Sequence, residues 1–245
     1  MMVAERRRLD LALVERGLAA SRERAQTMVR AGLVRVAGAA TNKPDQLVGA
    51  DQAIEIAGTT PYVSRGGEKL AAALDAFAID PTGRVCLDVG ASTGGFTDLL
   101  LQRGAARVVA VDVGYGQLAW SLRQDPRVIV LERVNIRHLD HLPVPADLAV
   151  IDVSFISLRL VLPRVRELLQ PRSEVVALVK PQFEVGKGAV GKGGVVRDPE
   201  QHQQVLSDLR QFAQDTGYAV AGEVPSPILG AKGNREFLLY LRRHG

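Results

Sequence analysis

Cysteine occurs once in the 245 residues, at Cys86. No intrachain disulfide can form, and nothing hints at an oxidising compartment. Cys86 itself reads as an inert core residue. No apolar run approaches the about 20 residues needed to span a bilayer. The N-terminus carries Arg6, Arg7 and Arg8, but no apolar stretch follows them, which argues against a secretory signal. The four histidines are scattered without metal-ligand spacing, so no metal is implied. No internal repeat is present. What is left is a globular chain, expected in the cytoplasm, 47% hydrophobic and 24% charged. That is enough apolar material for a sizeable core.

Charge is unevenly placed. The net formal charge is +4, and residues 1–50 hold nine Lys+Arg against five Asp+Glu. The remainder has 22 of each and no net charge. All the excess therefore lies in the first fifth of the chain. Two readings fit: a polyanion-binding module at that end, or a solvated helical face.

The first segment reads helix, helix, short strands. Leu9, Ala12, Leu13 and Val14 have helical spacing with Gly17 as a stop. Ser21 is placed to cap a second helix bearing Ala25, Met28 and Val29, ended by Gly32. Leu33–Val36 and Ile54–Ile56 read as short strands. Thr59-Thr60-Pro61-Tyr62 looks like a linker. The expected organisation is a small domain over residues 1–58, a linker over 59–63 and a larger domain over 64–245. From Arg84 onward, apolar runs at Val85–Val89, Arg107–Val111, Val128–Leu131, Leu148–Ile151 and Val175–Val179 alternate with helical stretches such as Leu158–Leu169. Strands at Tyr218–Val224 and Phe237–Leu241 follow a helix near Gln201–Asp215. Near-continuous apolar strands between helices indicate an α/β domain with a mostly parallel, seven-stranded sheet covered on both faces.

The first of these strands runs into Asp88-Val89-Gly90-Ala91-Ser92-Thr93-Gly94-Gly95-Phe96 and then a helix. Glycines in a strand-to-helix turn let the backbone approach a ligand. The spacing is D-x-G-x-x-x-G-G rather than the dinucleotide G-x-G-x-x-G. This form resembles the class I methyltransferases, which must hold the methionine tail and sulfonium of S-adenosylmethionine. Asp112, followed by Val113, ends the next strand 22 positions after Gly90, where a carboxylate accepts from ribose hydroxyls. Asn135 follows the third strand; it suits either the adenine or a local turn.

Charged residues fall at the strand C-termini, where open α/β sheets bind ligands. Asp152 closes the fourth strand and Lys180 the fifth. By themselves the two also fit a structural ion pair. Lys69, in Ser64-Arg65-Gly66-Gly67-Glu68-Lys69-Leu70, opens the larger domain, and Glu236 opens its last strand. The order Lys69, Asp152, Lys180, Glu236 resembles the K-D-K-E tetrad of FtsJ-like ribose 2′-O-methyltransferases. The chemistry fits. A ribose hydroxyl is a poor nucleophile; Lys180 would stabilise its alkoxide or take its proton. Asp152 and Glu236 would orient the lysines. Phe155 is placed to stack on a flipped base or to pack in the core. Gly186–Gly194 has five glycines in nine residues but lacks the Ser or Thr and the helix of a P-loop. It reads as a substrate lid carrying Lys187 and Lys192.

Residues 8–48 resemble the S4 RNA-binding fold, through Arg8-Leu9-Asp10, Gly17-Leu18, Ser21-Arg22, Ala25, Gly32, Val34, Val36, Gly38 and Lys43-Pro44. The resemblance implies phosphate contacts from Arg22, Arg24 and Arg30, with Arg6, Arg8, Lys43 and Arg65 as further RNA-facing cations. From residue 6 to 242 the chain resembles the TlyA family, the hemolysin A-like 16S/23S rRNA cytidine 2′-O-methyltransferases. Ser64–Gly67, Asp88–Phe96, Asp112–Leu118, Asp152–Leu158 and Val179–Gly188 carry the likeness. It implies a Rossmann-like class I methyltransferase domain behind a small α+β S4-type domain. S-adenosylmethionine is the implied cofactor and ribosomal RNA or ribosomal subunits the partner, with oligomeric state open between monomer and dimer. The short form of the chain suggests a large-subunit target, with the small subunit a further possibility. Three other readings compete: a non-catalytic ribosome-assembly factor, a small-molecule methyltransferase and a pore-forming hemolysin. The first is opposed by the intact tetrad. The second leaves the basic N-terminal module unexplained, and the third has no membrane-inserting segment to act with.

Overall fold

The computed structural model describes residues 6–19, 21–56, 61–186, 190–191 and 193–244. The chain divides into two units, Met1–Arg65 and Gly66–Gly245.

In the first unit, β1 (Arg7–Arg8), α1 (Leu9–Glu15) and α2 (Arg22–Arg30) precede β2 (Val34–Val36), β3 (Ala39–Thr41), β4 (Leu47–Val48) and β5 (Ile54–Ile56). Ser21 caps α2 as its sequence position predicts, its Oγ accepting from the Arg24 N–H at 3.1 Å. Strand β2 lies between β3 and β5, antiparallel to both. Strands β1 and β4 form a separate antiparallel pair that the sequence does not announce. Leu9, Leu13, Ala25, Val29, Val34 and Val48 make the core.

Asp10 is buried beside that core. Arg8 donates to both its oxygens at 3.0 Å, Arg22 to Oδ2 at 3.0 Å and Gln26 to Oδ2 at 2.8 Å. A buried carboxylate must have such partners. The Arg8 guanidinium, foremost among them, holds it well below the usual carboxylate range, against the opposing effect of burial.

The second unit begins with α3 (Gly66–Phe77), then β6 (Val85–Val89), α4 (Gly95–Gln102), β7 (Arg107–Asp112), α5 (Trp120–Arg123) and β8 (Val128–Glu132). It continues with β9 (Ala146–Ile151), α6 (Leu162–Leu168), β10 (Leu169–Val179), α7 (Pro181–Glu184), α8 (Pro199–Asp215), β11 (Tyr218–Pro225) and β12 (Phe237–Arg243). The seven strands are ordered β11-β12-β10-β9-β6-β7-β8. Only β12 runs against its neighbours. The strand interiors are apolar on both sides because helices cover both faces; Val108, Val109, Val150, Ile151, Val176 and Ala177 are all fully buried.

From β6 the chain order runs outward both ways, so the topological switch lies between β6 and β9. That crevice is where an open α/β sheet binds its ligands. One sequence expectation changes here. The stretch Leu158–Leu169 is not one helix but a 3-10 turn at Leu158–Leu160 followed by α6. Pro163, in the first turn of α6, cannot donate to a preceding helical turn. Strand β10 then starts at Leu169 rather than Val175, with a register shift before Glu174. Helix α3 also went unread, although Leu70, Ala73 and Leu74 give it a buried stripe. No helix among the described residues is long and apolar enough to cross a membrane.

Candidate active site

At the switch point the C-terminal ends of β6, β7 and β9 border a cavity of about 1000 Å³. Small-molecule sites span roughly 300–1,000 Å³, so a nucleoside-sized donor fits with room for part of an acceptor. Gly90, Ser92, Asp112, Val113, Asn135, Asp152 and Phe155 line it, all named from sequence. Gly90 has φ +84°, and a Cβ there would stand 2.4 Å from the Asp152 carbonyl oxygen. Only glycine lets the β6 turn lie so close to the end of β9. Asp112 joins two loops: Oδ2 accepts from Ser92 N–H at 2.8 Å and Oδ1 from Gly114 N–H at 2.6 Å. Asn135 caps the 3-10 turn Ile136–His138, its Oδ1 accepting from Arg137 N–H at 3.1 Å. The turn-stabilising reading therefore holds for the oxygen, and the carboxamide NH2 is the part left for a ligand.

Other residues of the glycine turn do not line the cavity. Ala91, Gly94 and Gly95 are buried, Thr93 is half-buried, and Phe96 packs into the core from the first turn of α4. Phe96 thus supports the turn from below. Asp88 likewise lies beneath the cavity: it is fully buried, with Thr97 donating to Oδ2 at 2.6 Å and no hydrogen-bond partner on Oδ1. Burial, followed by the nearby charges of Asp152 and Asp112, pushes its carboxyl up to about 7 from an ordinary 3.8. A raised carboxyl favours the fold while it is protonated. Its contribution is full below about pH 4 and is lost as pH rises through about 7. The slope over that window is at most about 1.4 kcal/mol per pH unit. Urea unfolding of the ligand-free protein should show this decline relative to Asp88→Asn. A wild-type-minus-variant difference that stays flat with pH would contradict it.

The four tetrad residues form two ion pairs at neighbouring strand ends. Lys69, in the first turn of α3, donates to Glu236 Oε2 at 2.5 Å, and both side chains are largely buried. Lys180 Nζ lies 2.6 Å from Asp152 Oδ1 and donates to Ser154 Oγ at 2.8 Å. Register explains the grouping. Ile151 is paired with Ala177 and Val179 with Phe237, so Asp152, Lys180 and Glu236 all leave the sheet at one edge. Three supporting residues were not anticipated. Ser154, two residues past Asp152, could have been found from its hydroxyl in the strand-end motif. Gly230 carries no local signal, yet a Cβ on it would fall 1.8 Å from Glu236 Oε1. Glu184, four residues past Lys180, accepts from Ser157 Oγ at 2.6 Å and Leu158 N–H at 2.8 Å. It ties the loop after β9 to α7.

Phe155 is 91% exposed, which rules out the core reading. Its φ is +64°, unusual for a bulky residue and typical of strain held at functional sites. Its ring tilts against Phe183 at 5.1 Å. Of the cations expected to face RNA, Arg6, Arg30, Lys43 and Arg65 are exposed and Arg24 is half-buried. Arg22 is exposed and Arg8 half-buried, and both donate to Asp10. Lys187 and Lys192 lie outside the described residues.

The sheet order and the glycine turn at its switch point define a Rossmann-like methyltransferase fold. A model of the FtsJ-like methyltransferase family matches residues 62–243, and a model of the S4 domain matches residues 7–54. The 16S/23S rRNA (cytidine-2′-O)-methyltransferase TlyA of Mycobacterium tuberculosis is 51% identical over 244 residues, covering 98% of this chain and 91% of that one. Hemolysin A of Brachyspira hyodysenteriae is 40% identical over 240 residues, covering 95% and 98%. A hemolysin-named structure from Streptococcus thermophilus superposes with a TM-score of 0.78 at 43% identity, covering 99% and 90%. The chain belongs to the FtsJ-like methyltransferase family, in the group that includes TlyA.

Proposed function

We propose that this protein transfers a methyl group from S-adenosylmethionine to the ribose 2′-hydroxyl of a cytidine in ribosomal RNA, in the cytoplasm where ribosomes are assembled. The observation that carries this is the pairing of Lys180 with Asp152 at the edge of a cavity that Asp152 itself lines. The residues present suit the cofactor. The close approach at Gly90 and the carboxylate of Asp112 make a polar cradle at the switch point. Gly90, Ser92, Asp112 and Asn135 would hold it. S-adenosylmethionine supplies an already activated methyl on a sulfonium, so the protein's task is positioning and charge.

Lys180 stabilises the alkoxide as it forms. Asp152 and Ser154 fix the direction of its Nζ, and the hydroxyl proton leaves through the Lys180–Asp152 pair. Lys69 and Glu236 complete the polar edge, with Gly230 leaving room for the Glu236 carboxylate. Phe155 with Phe183 offers an aromatic surface for the acceptor base. Large-subunit RNA, one of the two substrates for which the mycobacterial relative is named, is the acceptor we propose first.

The test is transfer of radiolabelled methyl to isolated ribosomal subunits and to naked rRNA, followed by nuclease digestion. Label on a 2′-O-methylcytidine of large-subunit RNA is the expected result. Tight RNA binding with no label in any RNA would instead favour an assembly factor that kept the fold.

A further inference from the structure

Two chain segments next to Glu236 are free of acidic residues: 185–197 and 224–235. The described part of the first is fastened to the second by a buried asparagine. Asn234 donates from Nδ2 to the Gly194 carbonyl at 3.0 Å and accepts at Oδ1 from the Val196 N–H at 3.1 Å. His202, also buried, holds the Val196 carbonyl at 3.0 Å. The second segment closes on itself, with Gly230 N–H donating to the Asn234 carbonyl at 2.9 Å and Gly233 N–H to Gly230 at 3.2 Å.

This clasp brings three cations to the surface. Lys232 sits at the tip of the closed turn with φ +57°, a left-handed backbone that a lysine rarely adopts. Its Nζ lies within 3.5 Å of where a Cβ on Gly194 would be. Arg197 follows the clasped Val196, and Arg235 follows Asn234. All three are exposed. None has an ion pair or hydrogen bond among the described residues, whereas Arg84, Arg103, Arg123, Arg127 and Arg164 of this unit are all in ion pairs. The nearest acids in sequence are already engaged: Asp198 caps α8 through Glu200 N–H, and the buried Glu236 pairs with Lys69. Cations gathered on a hydrogen-bonded turn with no internal partner form a surface suited to a polyanion.

We propose that Arg197, Lys232 and Arg235 form a phosphate-binding surface on the catalytic unit. It would grip the RNA backbone flanking the target nucleotide, separately from the cations of the first unit. Its position supports this, since Arg235 adjoins Glu236, whose strand runs beside the one ending at Lys180. The inference rests on the proposed RNA substrate. Such contacts add affinity without reading sequence.

The experiment uses the full chain and its R197Q/K232Q/R235Q variant, with large-subunit rRNA as probe. RNA affinity is measured against salt concentration, and KM for RNA against kcat. The variant should bind roughly tenfold more weakly near 0.1 M salt, with a salt slope shallower by about 2. The loss should fall in KM. The single variants R197Q and R235Q should each flatten the slope by about 1, which keeps the test open if the triple variant folds poorly. Unchanged affinity and slope would overturn the proposal. So would variant-sensitive binding to phosphatidylserine vesicles with RNA binding intact, because the surface would then belong to a membrane. A wild-type protein that methylates no RNA refutes the proposed reaction instead, and the binding series still decides this surface by itself.

Discussion

Replacing Lys180 by alanine should lower kcat about 10²- to 10³-fold while leaving the affinities for S-adenosylmethionine and RNA within a few-fold of wild type. The reasoning is local. Lys180 does not line the cofactor cavity, so the donor keeps its cradle. None of the cations proposed to contact RNA is altered. What disappears is the cation held 2.6 Å from the Asp152 carboxylate and bonded to Ser154. With it goes the stabilisation of the alkoxide. Asp152 is then left without its ion-pair partner. Arginine should not restore activity: a planar guanidinium cannot place one compact charge where the ammonium sits. Single-turnover methyl transfer with saturating RNA reads the chemical step, and steady-state turnover reads kcat. Near-wild-type turnover would mean that the alkoxide is stabilised elsewhere, and the role assigned to this pair would fall.

Gly90→Ala should abolish detectable cofactor binding, with an affinity loss of at least about 100-fold, or roughly 2.7 kcal/mol. Two independent costs meet at this position. The backbone is in the left-handed region at φ +84°, where a non-glycine residue carries about 1–3 kcal/mol of strain. The added Cβ would also stand 2.4 Å from the Asp152 backbone oxygen. That atom belongs to the end of a central strand and cannot swing aside like a side chain. Relief must come from parting the ends of β6 and β9, which opens the cradle and displaces Asp152 together. Titration calorimetry with S-adenosylmethionine measures the first effect and thermal unfolding the second. RNA binding through the first unit should persist, because its core is built from its own residues. Wild-type cofactor affinity in this variant would show that the donor does not depend on the β6 turn.

Much of the site was legible because its residues sit where local rules are strong. A glycine turn after an apolar strand, an acid 22 residues later and charged residues closing buried strands are short-range signals that follow from strand periodicity. The Ser21 cap and the β5 strand were legible for the same reason. What was not legible has a shared cause. How Asp88 and Phe96 are buried depends on which way a side chain leaves the backbone, and both leave into the protein. Whether Arg8 and Arg22 are free for RNA depends on Asp10, and in α2 only the folded unit brings Arg22 and Gln26 to that carboxylate. Phe155 left the choice between core and surface open because an isolated aromatic has no period.

The sequence by itself determined the alternation of strands and helices, the position of the glycine turn and the identity of the four charged residues. Each is written in hydrophobic spacing or in residue chemistry within a short window. Only the tertiary structure decided how those residues pair. Lys69 meets Glu236 across 167 positions, and Lys180 meets Asp152 because β9 and β10 are neighbours in register. The room that Gly230 leaves for Glu236 and the clasp of Asn234 on Gly194 and Val196 are of the same kind. Contacts between distant segments depend on sheet order, and no short stretch of the chain encodes that order.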